Sequence, residues 1–195
     1  MKKIPTLFER EFRRGKVVEI KNKVTPGMEW VLEGKGIATI KMDGSCCAII
    51  NGELYKRYDA KHGKKPPEGA IPCCAPDPIT GHHPHWVKVD PDVPADKWFI
   101  EAVNNAFHDS IAEGHPLPNR TYEAVGPHFN GNPHNYRTDT LIPHGCYSVH
   151  VERTFEGIRQ YLEENNIEGL VFWLNNEPMC KIKRSDFGFD WPMEV

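Results

Sequence analysis

The stretch "ATIKMDGSCCAIINGELYKRY", residues 38–58, most constrains what this chain can fold into. Three short runs rich in Ile, Ala, Cys and Tyr are cut by Asp43-Gly44 and Asn51-Gly52. Such dipeptides are strong hairpin signals, because the tight turns joining antiparallel strands need positive φ at their centre. The punctuation predicts strands over 36–41, 45–50 and 54–58, linked by two hairpins. Lys41 and Asp43 stand out in this apolar setting. Lys41 reads either as a lysine flanking a turn or as a nucleophile, and the rest of the chain has to decide.

Elsewhere the pattern alternates between turn-rich and periodic segments. Residues 6–14 fit a short amphipathic helix, with Thr6 as N-cap, Leu7, Phe8 and Phe12 on the apolar side and Gly15 as the stop. Strands are expected over 16–20 and 29–33. Residues 62–84 are rich in Pro, Gly and His and predict a long loop, reaching to 95 with its polar flank. Asp96 to Ala112 reads as a helix from Trp98, Val103, Ala106, Phe107 and Ile111. A buried strand follows at 120–126, a loop at 127–139 and a strand at 146–151. Thr154 caps a helix carrying Phe155, Ile158 and Leu162 on one face. "GLVFWL" and "MCKIKR", joined by "NNEP", close the chain as strands. Many strands, few helices and hairpin links predict an α+β fold on antiparallel sheets.

The totals exclude some classes. With 195 residues, 39% apolar and 26% charged, the chain is long enough for a sizeable core and too apolar for disorder. No apolar run approaches a membrane span. "MKKIPTLFEREFRR" begins like a signal segment but lacks its apolar centre. Six cysteines, two adjacent pairs among them, then read as reduced thiols in a cytoplasmic protein. The formal charge of −3 argues against a generic basic nucleic-acid coat, while local basic clusters at 2–16, 56–65 and 181–184 remain. Cys73, Cys74, His82, His83 and His85 suggest zinc by type but not by spacing, since neither a Cys-x₂-Cys nor a His-x₃-His pair occurs. A loop covering a site or touching RNA through His and Trp86 is the alternative to a purely structural one.

Four short elements occur in a telling order: Lys41-x-Asp43-Gly44, Tyr122-Glu123, Glu168-Gly169-Leu170-Val171 and Lys181-Ile182-Lys183. Each is common alone. Together the chain resembles the covalent nucleotidyltransferase superfamily of ATP-dependent DNA and RNA ligases and mRNA capping enzymes. "IPTLFER", "PDPITGHHPHW", "YEAVGPHFNGNPH", "LIPHG" and "GIRQYLEENNIEGLVFW" are most similar to compact RNA ligases of phages and bacteria. The resemblance implies a single nucleotidyltransferase domain over 1–195, with two antiparallel sheets and the nucleotide between them. It implies ATP and Mg²⁺ or Mn²⁺ as cofactors, an RNA substrate with 5′-phosphate and 3′-hydroxyl ends, and no membrane partner. It leaves a protein partner open.

The family chemistry needs these residue types. Lys41 would attack the α-phosphorus of ATP and carry AMP, so its amine, with an ordinary pKa of about 10.4, must first lose a proton. Asp43, Glu123 and Glu168 would supply oxygens to the metal. Lys181 and Lys183, two apart on a strand and so on one face, would steady the phosphates. Ile40, Arg57, Glu123 and the two lysines are implied in nucleotide or substrate contact. Each also has a plainer reading, as a turn residue, a buried carboxylate, the wet face of an edge strand or a surface ion pair. His128 and Asn130 are within the reach expected of substrate contacts, without an assigned role. The chain ends eight residues after Phe187, which predicts no appended OB-fold. Cys46 stands where many relatives carry arginine, a role Arg57 would partly cover. The alternatives are a DNA ligase, a GTP-using capping-type guanylyltransferase, and a non-catalytic RNA- or metal-binding module.

Overall fold

The structure, a computed structural model, describes residues 3–14, 16–61, 64–78, 81–112 and 117–193, with backbone alone for 16 and 108–112. Gly15, the side chain of Ile111 and part of the expected 62–84 loop lie outside the described residues. In chain order the strands are β1 (Phe8–Arg13), β2 (Lys16–Val24), β3 (Ile37–Lys41), β4 (Ser45–Ile50), β5 (Glu53–Ala60), β6 (Ile71–Pro72) and β7 (His83–Lys88). Helix α1 (Lys97–Ala112) precedes β8 (Arg120–Val125), β9 (Thr140–Pro143) and β10 (Ser148–Val149). Helix α2 (Phe155–Glu164) precedes β11 (Gly169–Leu174) and β12 (Glu177–Lys183). The fold is α+β, and every pair of these strands runs antiparallel. Among the described residues no helix is long and apolar enough to cross a membrane.

The chain divides into two compact units. One is Asp43–His144, built on the six-stranded sheet β6-β7-β5-β4-β8-β9. Strand alternation sends Cys47 and Ile49 of β4, Tyr122 and Ala124 of β8 and Leu141 of β9 to one face, where Phe99, Ala102, Val103 and Ala106 of α1 cover them. Phe107, expected on that stripe, is exposed instead. The other face carries Cys46, Arg57, Thr121 and Glu123, by the same alternation.

The second unit, Lys3–Met42 with Gly145–Val195, holds the hairpin β1-β2 and the sheet β10-β3-β11-β12. Ala38, Leu170, Phe172, Cys180 and Ile182 turn one face of that sheet toward Ile158 and Leu162 of α2. Full burial of each large side chain contributes about 1.5–3 kcal/mol. Thr154 caps α2 as expected, accepting from the Gly157 N–H at 3.0 Å. Buried Arg184 closes the other end, donating to the carbonyls of Leu162, Asn165 and Asp190.

Four expectations change. Within residues 6–14, Phe8–Arg13 form strand β1 rather than a helix, because pairing with β2 and the cross-strand contacts Lys23–Glu9 and Lys21–Glu11 override a weak amphipathic pattern. The expected strand 29–33 is a 3-10 turn at Glu29–Val31. The strand at 146–151 shrinks to Ser148–Val149, while β6 and β7 arise inside the segment read as a loop and β9 in a stretch assigned to no element.

The fourth change concerns Asp43-Gly44. Asn51 and Gly52 do take positive φ and link β4 to β5 as a hairpin. Asp43-Gly44 does not: β3 pairs with β10 and β11, and β4 pairs with β5 and β8. The backbone groups that a hairpin would use are taken by side chains. His134 Nε2 accepts the Asp43 N–H at 2.8 Å, Glu123 Oε1 accepts the Gly44 N–H at 3.2 Å, and Asn130 donates to the Gly44 carbonyl at 2.7 Å. Glycine is required here by close approach. A Cβ on Gly44 would collide with the Ala124 carbonyl oxygen and sit 2.9 Å from Val125 Cγ1.

Gly169 meets the same restriction in the centre of the four-stranded sheet. A Cβ there would run into the Ile182 carbonyl oxygen and lie 2.9 Å from Lys183 Cα. Gly169→Ala is expected to lower stability by about 1–3 kcal/mol, the usual range for overpacking. Urea denaturation would show this as a lower midpoint with unchanged slope.

Candidate functional site

Strand register builds the first cluster, wholly within the second unit. Gly169 of β11 pairs with Lys41 on one side and Lys183 on the other, so the three residues form one rung. Val171 pairs with Thr39 and Lys181 in the rung two residues along. Side chains of both rungs share the face opposite α2. Lys41, Lys181 and Lys183 therefore converge, and the missing side chain at Gly169 leaves room between two of them. Ile40, one residue off, belongs to the opposite parity. The edge of β12 is covered at Lys181 by Pro5–Leu7, whose backbone bonds to it on both sides.

Glu168 ties the cluster together. It is buried; one carboxylate oxygen accepts from Nζ of Lys41 and the other forms an ion pair with Nζ of Lys183. Three ammonium groups thus gather around one carboxylate. Lys181 shows the consequence: burial, then the charges of Lys41 and Lys183, lower its pKa to about 8, with Glu168 pulling the other way. The register explains Lys41, Lys181 and Lys183 as a group, and the ion pairs bring Glu168, just before β11, onto Lys41 and Lys183.

The second cluster lies within the first unit, on the sheet face away from α1. Cys46 of β4 pairs with Glu123 of β8. His144 follows β9 and prolongs its ladder by donating its N–H to the Thr121 carbonyl at 3.2 Å. Its Nδ1 lies 2.9 Å from Thr121 Oγ1 and its Nε2 lies 2.8 Å from Glu123 Oε2. Burial, followed by the Glu123 charge, pushes the Cys46 thiol up to about 12, against an opposing pull from Arg57. Arg57, on neighbouring β5, keeps a buried Nε without a hydrogen-bond partner among the described residues. Buried donors are seldom left so, and an orphaned one points to an acceptor that the protein does not supply.

Asp43 belongs to this unit too. Asn130 donates to its Oδ1 at 2.9 Å, so the 127–139 loop meets the Lys-x-Asp-Gly segment directly. His128 is engaged elsewhere, with Nδ1 2.7 Å from buried Asp139 and its ring stacked on Trp98 at 3.3 Å. Among the described residues, the Cys/His loop gathers no group of metal ligands. His82 pairs with Asp59 at 2.6 Å, and the Nδ1 of buried His85 faces the His83 carbonyl at 2.7 Å. Among the described residues, the metal-type donors that converge are Cys46, Glu123 and His144. Sequence reading did not assign His134 or His144. "LIPHG" held the signal for His144, since an apolar run before it places the histidine at a strand end.

The Lys181 shift has a testable sign. Its folded pKa lies below that of the unfolded chain, so the unfolded chain binds the extra proton between about 8 and about 10.4. Stability should rise across that interval, and at pH 7 the ammonium opposes folding. Lys181→Met is expected to raise the melting midpoint at pH 7 by about 2–4 °C for each ~1 kcal/mol relieved. The variant should also lose the alkaline rise, as measured by thermal melts from neutral to alkaline pH.

No model of a known protein family matches the chain. The chain is similar to RNA ligase 1 of Rattus norvegicus, at 27% identity covering 80% of this chain and 69% of the relative. RNA ligase 1 of Pongo abelii is 26% identical over 80% of this chain and 69% of its own. For RNA ligase 1 of Danio rerio the identity is 24%, over 80% and 68%. These likenesses support a relationship to RNA ligases.

Proposed function

We propose that this protein is an ATP-dependent RNA ligase with an adenylation-type nucleotidyltransferase fold, joining 5′-phosphate and 3′-hydroxyl ends through a lysyl-AMP intermediate. The observation that carries the reading is the rung Lys41–Gly169–Lys183, with Glu168 in an ion pair with both ammonium groups and Lys181 on the same face. An isolated surface lysine needs no such arrangement. A lysine that must meet a polyphosphate does, because the face has to be cationic while the attacking amine is held in place.

In this reading Nζ of Lys41 attacks the α-phosphorus of ATP. The nitrogen–phosphorus bond forms as the bond to the departing pyrophosphate breaks. The ammonium must shed a proton first, and the Glu168 carboxylate that accepts its hydrogen bond is placed to take it. Lys181 and Lys183 stabilise charge growing on the α-phosphate and on pyrophosphate. AMP then passes to an RNA 5′-phosphate, and a 3′-hydroxyl displaces it. Arg57 is assigned to nucleotide or RNA phosphate, which its orphaned Nε would satisfy. Glu123 retains the nucleotide contact that the resemblance implies, while Ile40, whose side chain lies on the α2 face, would contribute through its backbone alone.

The carboxylates fit a hard cation by chemistry, each offering oxygen donors. The resemblance assigns Asp43, Glu123 and Glu168 to Mg²⁺ or Mn²⁺. When bound, the ion neutralises phosphate charge.

Incubation with α-labelled ATP and Mg²⁺ is expected to leave covalent label on the protein, which Lys41→Ala abolishes. Glu168→Gln should lower the labelling rate by roughly 10²–10⁴-fold, the range for losing a proton acceptor. Absence of label with either ATP or GTP would overturn the enzyme reading. Label from GTP alone would favour capping chemistry, and sealing of nicked DNA in preference to RNA would favour a DNA ligase.

A further inference from the structure

We infer that Cys46, Glu123 and His144 form a binding site for a thiophilic divalent cation, Zn²⁺ by the donor set, on the face of the six-stranded sheet away from α1. One ligand atom from each of the three lies within 4.8 Å of the others. The convergence is built by the sheet. Cys46 and Glu123 face each other across β4 and β8, and His144 continues β9 opposite Thr121, two residues from Glu123 on the same face.

The chemistry of the donors selects the cation. A thiolate, an imidazole and a carboxylate suit Zn²⁺ and are a poor match to Mg²⁺, which prefers oxygen alone. Around a tetrahedral ion with bonds of about 2.0–2.3 Å, donor atoms stand about 3.3–3.7 Å apart. The present limit of 4.8 Å between donor atoms is about an ångström wider than that spacing. The site is electrically matched: once the Cys46 thiol releases its proton, thiolate and carboxylate together balance the ion's two charges. That balance matters, because Arg57 lies close enough for its charge to act on Cys46.

Thr121 supplies the orienting contact that metal-binding histidines usually have. Its hydroxyl sits 2.9 Å from Nδ1 of His144, which turns Nε2 toward Glu123 and Cys46. Three protein ligands leave a fourth position for water or a ligand oxygen. Glu123 would then serve this ion as well as the contact that the ligase reading gives it. The site itself does not depend on that reading, and its test uses no nucleotide.

The probe is Co²⁺, titrated into the reduced, metal-free full chain. One equivalent is expected to bind with thiolate-to-cobalt charge-transfer absorption, which Zn²⁺ displaces. Cys46→Ser, nearly isosteric, should lose the absorption. His144→Ala should weaken binding, and Thr121→Val, which leaves all three ligands in place, should weaken it by about 10–100-fold. Circular dichroism of the metal-free variants checks folding, and Thr121→Val still reports if a ligand variant folds poorly. Absence of the absorption in the unaltered protein would overturn the site. So would absorption undiminished in Cys46→Ser, which would place the metal on other cysteines, or full affinity in both His144→Ala and Thr121→Val.

Discussion

The carboxylate of Glu168, shared between the ammonium groups of Lys41 and Lys183, is the interaction on which the rest of the second unit depends. Three lysines on one sheet face repel one another, and burial of Lys181 adds to that cost. One buried carboxylate holds two of them in place. The opposite face supplies the offset, where Leu170, Phe172 and Ile182 pack completely against α2. The same strands thus carry a dry face that stabilises and a charged face that does not. Gly169 sits where both demands meet, since no side chain fits between its backbone and that of β12.

The first unit solves a related problem differently. It has an imidazole–carboxylate pair beside a thiol, and the orphaned donor of Arg57 nearby. The Lys-x-Asp-Gly segment enters this unit at Asp43, where Glu123, Asn130 and His134 take its polar groups. A segment held through hydrogen bonds to three side chains is positioned more rigidly than a free turn.

Much of this was legible in the sequence wherever the signal is local. The Asn51-Gly52 hairpin, the Thr154 cap, the helical stripe of α2 and the spacing of Lys181 and Lys183 are short-range features, and each formed as read. The errors share one cause. Residues 6–14 carry a pattern that suits helix or strand, and only pairing with β2 decides between them. Asp43-Gly44 has hairpin chemistry, yet partners 79 to 91 residues away capture its backbone. Cys46, Glu123 and His144 are scattered in sequence and meet only through the register of three strands. Local chemistry announces itself in a sequence, whereas long-range pairing does not.

The central claim, that the face organised by Glu168 presents Lys41 as the nucleophile, is tested most directly by locating the covalent nucleotide. Peptide mass spectrometry after incubation with ATP and Mg²⁺ should place a single AMP adduct on Lys41. An adduct on Lys181 or Lys183, or one spread over several lysines, would contradict the account.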